Sequence, residues 1–180
     1  MQLARRGDPR AHEVLFRTYA AAVYDLALRL LQQPAAADEI LQDTFVEVLS
    51  RITAFRGDAP IGAWIREIAV NKCLMQFRSG WQRYRRTLDE DAEWLREPMF
   101  TESLAERIDL GRALALLAPM SRVVVWLHDV EGYTHHEIAR RTGKSISFSK
   151  SQLARAHRRL QAVLGGTTGD TTCTQVSNRC

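Results

Sequence analysis

Apolar residues recur in this chain every three or four positions, and the alternating spacing of a strand is missing. Leu15, Tyr19, Val23, Leu26 and Leu30 set the repeat. Leu41, Phe45, Val48 and Ile52 continue it, and Trp64, Ile65, Ile68, Ala69 and Met75 form a third series. A period near 3.6 gathers such residues on one face of a helix, whereas a strand would send neighbours to opposite faces. The breaks are equally legible. Gln33-Pro34 stops the first helix, because proline lacks an amide proton and clashes with the preceding turn. The second helix starts near Ala36. FRGDAPIG, residues 55–62, is a loop punctuated by glycine and proline, and the third helix ends near Ser79-Gly80. The predicted fold class is all-α.

A second helical block begins near Leu104. Leu110, Leu114 and Leu117 lead to Pro119, and Val123, Val124 and Leu127 lead to Gly132. Between the blocks Arg78, Arg83, Arg85 and Arg86 give way to Asp89, Glu90, Asp91 and Glu93, with Pro98 after them. That charge reversal reads as a linker, in which Trp81, Tyr84, Leu88, Trp94 and Leu95 are available to dock on something. The organisation expected is two small helical domains, 10–79 and 105–164, joined by a linker over 80–104. The end of the chain, GGTTGDTTCTQVSNRC from Gly165 to Cys180, is poor in apolar residues and reads as a disordered tail.

Charge is unevenly spread. Between Ile138 and Gly169 stand Arg140, Arg141, Lys144, Lys150, Arg155, Arg158 and Arg159, and no acidic residue. Of the 25 Lys and Arg, 18 are left for the rest of the chain, against 21 Asp and Glu. A mildly acidic body with one basic end suggests a polyanion-binding module there, or a solvated basic helix face. In the second helix Glu39, Asp43 and Glu47 fall four residues apart, with Asp38 and Gln42 beside them: an acidic stripe, for a partner or for solvent.

The basic end has an internal order. Thr134 and Glu137 have the spacing of a capping box, opening a short helix with Ile138 and Ala139. Thr142-Gly143 makes a tight turn. A second helix follows from Ser145 or Ser147, with Ile146, Ser149, Leu153, Ala156 and Leu160 inward and Phe148, Lys150, Ser151, Gln152, Arg155, Arg158 and Arg159 outward. Short helix, glycine turn and basic helix describe a helix-turn-helix, whose second helix suits the major groove. Helix pairs that bind no nucleic acid are also common. His136-Glu137 hints at a zinc hydrolase, but the second histidine should fall at 140, where Arg140 stands. His135 and His136 are therefore expected on a wet surface, with no metal, cofactor or catalytic residue. Of the three cysteines, Cys73 lies in an apolar stretch as a small core residue, and Cys173 and Cys180 lie in the tail. MQLARRGDPR lacks an apolar signal core, and no apolar run is long enough to span a bilayer. The expectation is a cytoplasmic protein without membrane insertion.

EGYTHHEIARRTGKSISFSKSQLARAHRRL resembles the promoter-binding region of bacterial sigma factors of the extracytoplasmic-function type, within the sigma-70 family. ADEILQDTFVEVL resembles their core-polymerase-binding helix, and FRGDAPIGAWIREIAVNKCLMQFR their −10 recognition loop and helix. The likeness covers roughly 10–78 and 105–164. It implies that Asp38, Glu39, Gln42 and Asp43 contact core RNA polymerase. Phe55, Arg56, Asn71 and Lys72 would capture the −10 element of promoter DNA and assist its melting. Ser145, Ser147, Phe148, Lys150, Ser151, Ala154 and Arg155 would face the −35 element. An inhibitory anti-sigma factor is the further partner implied. Small residues are usual in the family where Ser147-Phe148 stands, so its −35 consensus is not carried over. The alternative is a helix-turn-helix regulator that never binds polymerase.

Overall fold

The computed structural model describes residues 1–86 and 110–165, and all described secondary structure is helical. Helix α1 (Gln2–Arg5) is a single turn, tied down by Arg5, which donates to the Phe55 carbonyl. Helix α2 (Pro9–Leu31) starts on Asp8, whose carboxylate accepts from the amides of Arg10 and Ala11 at 2.8 and 3.1 Å, with Pro9 at a position that needs no amide proton. It stops at Gln32, which adopts the left-handed conformation (φ 59°) before Pro34 opens α3 (Pro34–Arg51). The two-residue connection makes α2 and α3 antiparallel neighbours, and the rings of Phe16 and Phe45 meet edge-on at 4.8 Å.

A 3₁₀ turn (Ile52–Ala54) and a loop lead to α4 (Ile61–Arg86), which packs across both earlier helices. Gly62 permits this approach: a Cβ there would lie 2.8 Å from Tyr19 Cε1. Cys73 is fully buried, and burial pushes its thiol up to about 12, so it stays protonated and inert. Three details differ from the sequence expectation. Helix α4 runs beyond Ser79-Gly80 to Arg86, since a single interior glycine costs only about 1 kcal/mol and no proline interrupts it. Met75 is exposed, because it sits one residue, about 100°, past the buried stripe of Ile65, Ile68, Ala69, Cys73 and Leu74. Leu41 is half-buried, at the edge of a stripe formed by Ala37, Ile40, Thr44, Phe45 and Val48.

The remaining linker residues expected at 87–104, with Leu88, Trp94 and Leu95, lie outside the described residues, as do 105–109 and the tail from 166. Helices α5 (Leu110–Ala115) and α6 (Pro119–Val125) follow. A π-helical turn (Trp126–Val130) extends α6, closed by the Glu131 amide on the Trp126 carbonyl. Helix α7 (His135–Thr142) carries the expected capping box, with Thr134 accepting from the Glu137 amide and Glu137 accepting from the Thr134 amide. Gly143 ends it in the left-handed conformation (φ 69°), and α8 (Ile146–Gly165) begins after the Ser145 hydroxyl has accepted from the Phe148 amide.

Ser149, Gln152, Leu153 and Ala156 form the buried stripe of α8, spaced at 3, 4 and 7 residues from its first member. Gln152, expected outward, belongs to it and accepts from Ser121 Oγ at 2.6 Å. Ile146, expected inward, is exposed because the stripe starts one turn later. His135 is half-buried rather than wet: it stacks on His128 and shares a 3.0 Å hydrogen bond with Ser149 Oγ.

The two halves share one core. Leu26, Leu30 and Val70 of the first half belong to the same buried cluster as Val123, Val124 and Leu127 of the second. Loss of the capping box isolates a local contribution to this fold. Thr134→Ala should lower the unfolding free energy by about 1 kcal/mol, read as a lower urea midpoint, and Thr134→Ser should restore most of it.

Candidate functional site

Three surfaces carry the candidate residues. On α3, Asp38, Glu39, Gln42 and Asp43 are all exposed and make no ion pair with any described residue. Their spacing places three carboxylates on one helix face that the fold does not use. Glu47, which continues the spacing, is different. Its carboxylate receives Lys72 Nζ at 3.0 Å and Arg51 at 2.7 Å. The Lys72 hydrogen bond first, and the Arg51 one second, hold it below the ordinary carboxylate range. Glu47 therefore fastens α3 to α4, and the unpaired acidic face ends at Asp43.

The second surface is a trough along α4. Phe55, half-buried, lays its ring 5.2 Å from that of Trp64, while Arg56 stands almost fully exposed beside Asp58 at 3.2 Å. These residues line a cavity of about 410 Å³ with Glu67 at its far wall. Trp64 and Glu67 also line the adjoining hollow, which reaches Asn71, Lys72 and Met75. Phe55 and Arg56 line the first hollow and Asn71 and Lys72 the second, so the four are strung along α4 rather than gathered at a point. Trp64, expected in the core, forms the wall between the two hollows at the core's edge.

The trough does not end in solvent. Arg141 of α7 donates to Asn71 Oδ1 at 2.6 Å and to Glu67 Oε1 at 2.9 Å, and its guanidinium lies 4.5 Å from the Tyr133 ring centroid. Arg78 donates to the Arg141 carbonyl. Nearby, Arg66 grips Glu131 through Nε at 2.7 and 2.8 Å, and the Trp126 indole donates to the same carboxylate at 2.8 Å. Arg122 is buried and, among the described residues, pairs with no carboxylate; it donates to the carbonyls of Leu30 and Leu117. Desolvation lowers its pKa to about 10. Sequence reasoning found none of these links, because each joins residues more than sixty positions apart except the Trp126–Glu131 and Arg122–Leu117 bonds and the Arg141–Tyr133 ring contact.

The third surface is the outer side of α8. Ser145, Ser147, Lys150, Ser151, Ala154 and Arg155 are exposed and Phe148 is half-buried, with Lys144 Nζ 5.8 Å from its ring centroid. All seven face away from the core stripe. Among the described residues no group of three or more His, Cys, Asp or Glu is placed to hold a metal ion, and no helix is long and apolar enough to cross a membrane.

Residues 15–83 match the Sigma-70 region 2 family, and residues 107–160 match Sigma-70, region 4. The chain is 31% identical to the ECF RNA polymerase sigma factor SigM of Mycobacterium tuberculosis over 159 residues, which cover 88% of this chain and 80% of that protein. It is 32% identical to the RNA polymerase sigma-E factor of Streptomyces coelicolor over 161 residues, 88% of each. Among solved structures it is similar to the sigma factor RpoE of Bartonella quintana in complex with the anti-sigma factor NepR. The TM-score there is 0.53 at 25% identity, with 85% of this chain and 96% of that one covered.

The Glu47 pairing has a pH signature. Its folded-state pKa lies below the ordinary glutamate range, so the stabilisation is complete above that range and is lost as pH falls through the depressed value. The stability gap between the native protein and Glu47→Gln should be present at neutral pH and close on acidification, as measured by urea unfolding across the acid range.

Proposed function

The chain belongs to the extracytoplasmic-function (ECF) RNA polymerase sigma factors, and from that membership we propose how its surfaces divide the work. It directs RNA polymerase to promoters in transcription initiation, and its partners are core polymerase and promoter DNA. It acts as a specificity subunit, with bond-making chemistry left to the polymerase.

The observation that carries the assignment of the core-binding surface is the uncompensated acidic face of α3. Asp38, Glu39, Gln42 and Asp43 are exposed and form no ion pair with any described residue, and three like charges on one exposed face suit a basic partner. They form the core-polymerase contact. The α4 trough takes the −10 strand. Phe55 offers an aromatic face for a base, Arg56 an exposed cation for phosphate, and Asn71 a donor and an acceptor for a base edge. Lys72, held by Glu47, contributes charge from a fixed position. An unstacked base loses a few kcal/mol, which such contacts offset, and trapping it there assists melting. The outer side of α8 reads the −35 duplex. Lys150 and Arg155 supply phosphate or base-edge contacts, and Phe148 meets a thymine methyl rather than a phosphate. An anti-sigma protein is the further partner, supported by the complex of the similar RpoE with NepR.

A helix-turn-helix regulator independent of polymerase would need neither the acidic face nor a region 2 match over 15–83. Asp38→Lys combined with Glu39→Lys should abolish capture of core polymerase in a pull-down without weakening the affinity of the isolated protein for duplex DNA, which the added positive charge favours. Retained capture would refute the assignment. Phe148→Thr should change which −35 sequences are used more than it changes total transcript, read by in vitro transcription from a promoter library. Identical preferences for the two proteins would count against the thymine contact.

A further inference from the structure

Besides the core that its two halves share, the molecule has a second, smaller apolar cluster. Ala4 of α1, Leu15 of α2 and Ile52 of the 3₁₀ turn are buried together, with Tyr19, Ile61 and Trp64 packed against them. Ile52 precedes the loop that carries Phe55 and Arg56, and Ile61 follows it, so both ends of that loop rest on this cluster. Helix α1 supplies one of its three buried members: Ala4 is only 1% exposed.

A helix of one turn is not stable by itself, so α1 is held from outside. His12 Nε2 donates to the Ala4 carbonyl at 2.8 Å, and Arg5 donates to the Phe55 carbonyl. The Phe55 main chain is thereby fastened on both sides, since its amide donates to the Ile52 carbonyl at 3.4 Å. From 56 to 59 no main-chain group bonds to another main-chain group among the described residues. The Arg5 bond is therefore the last tie on the main chain before Pro60, whose carbonyl accepts from the amides of Ala63 and Trp64. Each residue has two soft backbone dihedrals, so the direction of the Phe55 ring, 5.2 Å from that of Trp64, depends on how firmly its carbonyl is held.

We propose that α1 braces the base-trapping loop and that Arg5 is a positioning residue. By holding the Phe55 carbonyl it keeps the Phe55 ring in the orientation in which a base of the −10 strand stacks on it. This rests on the reading of Phe55 as a −10 contact. Arg5 is itself exposed, so the competing role is a phosphate contact of its own. The two roles differ in one respect: a brace acts only through Phe55, and a phosphate contact acts without it.

The test is a double-mutant cycle on the full-length protein bound to core polymerase, reading the half-life of the open promoter complex after a heparin challenge. Arg5→Ala should shorten that half-life about fivefold, the scale of one hydrogen bond, while capture of core polymerase stays at the native level. In a Phe55→Ala background the same change should shorten it no further, because the ring it positions is gone. Ala4→Leu overfills the buried site and undocks α1 without altering any charge. It should reproduce the Arg5→Ala loss and likewise add nothing to Phe55→Ala, which separates bracing from the loss of a cation. An Arg5→Ala effect that persists at full size without Phe55 overturns the proposal and makes Arg5 an independent phosphate contact. So does a native half-life in Ala4→Leu. Phe55→Ala separates the two ideas. If it leaves the half-life unchanged, the reading of Phe55 fails and the brace with it. If it shortens the half-life while Arg5→Ala does not, the brace alone fails.

Discussion

The placement of the two halves depends on a guanidinium buried where α2 ends. Arg122 reaches from α6 across the seam, and the carbonyls it finds, those of Leu30 and Leu117, are the kind a helix or turn leaves unsatisfied at its last residues. The partial negative charge of a helix C-terminus replaces the carboxylate that a buried cation ordinarily demands. Around this post lies ordinary apolar packing, with Leu26 and Leu30 against Val123, Val124 and Leu127. Outside it comes a ring of polar links from Arg66 to Glu131 and from Arg141 to Glu67 and Asn71. Apolar contact holds the halves together, and the polar groups fix their register.

Within each half, much of this was legible in the sequence. The period of the apolar residues found the long helices, Pro34 and Gly143 marked two of the turns, and Thr134 with Glu137 announced its own cap. Those signals are local: each is a few residues whose neighbours along the chain supply the physics. The errors were local as well. Met75 is apolar yet lies one residue off the stripe that packs, and Ile146 lies in register with its stripe but one turn before the packing starts. Gln152 was assigned outward for being polar, although its spacing put it in line with Ser149 and Ala156. Spacing was the better guide for Met75 and Gln152, whereas Ile146 is exposed despite its register.

The surfaces were less legible. The exposed acids of α3 could be placed on one face, but a stripe that included Glu47 could not be told from one that stopped at Asp43, because the partner of Glu47 stands on another helix. The same holds for Asn71. Its residue type advertised a base contact, and nothing nearby in the chain disclosed that Arg141 sits against it. A charge pattern states what a helix could attract; only the packed structure states what has already been attracted.

The π-helical turn from Trp126 to Val130 has a geometric consequence for the whole second half. Such a turn spends one residue more than an α-helical one, and one residue corresponds to about 100° of rotation. It brings Glu131 under the Trp126 indole and aims the chain into α7, and α8 follows from there. The number of residues in that turn therefore acts as a rotational setting for α8, independent of the side chains that helix carries.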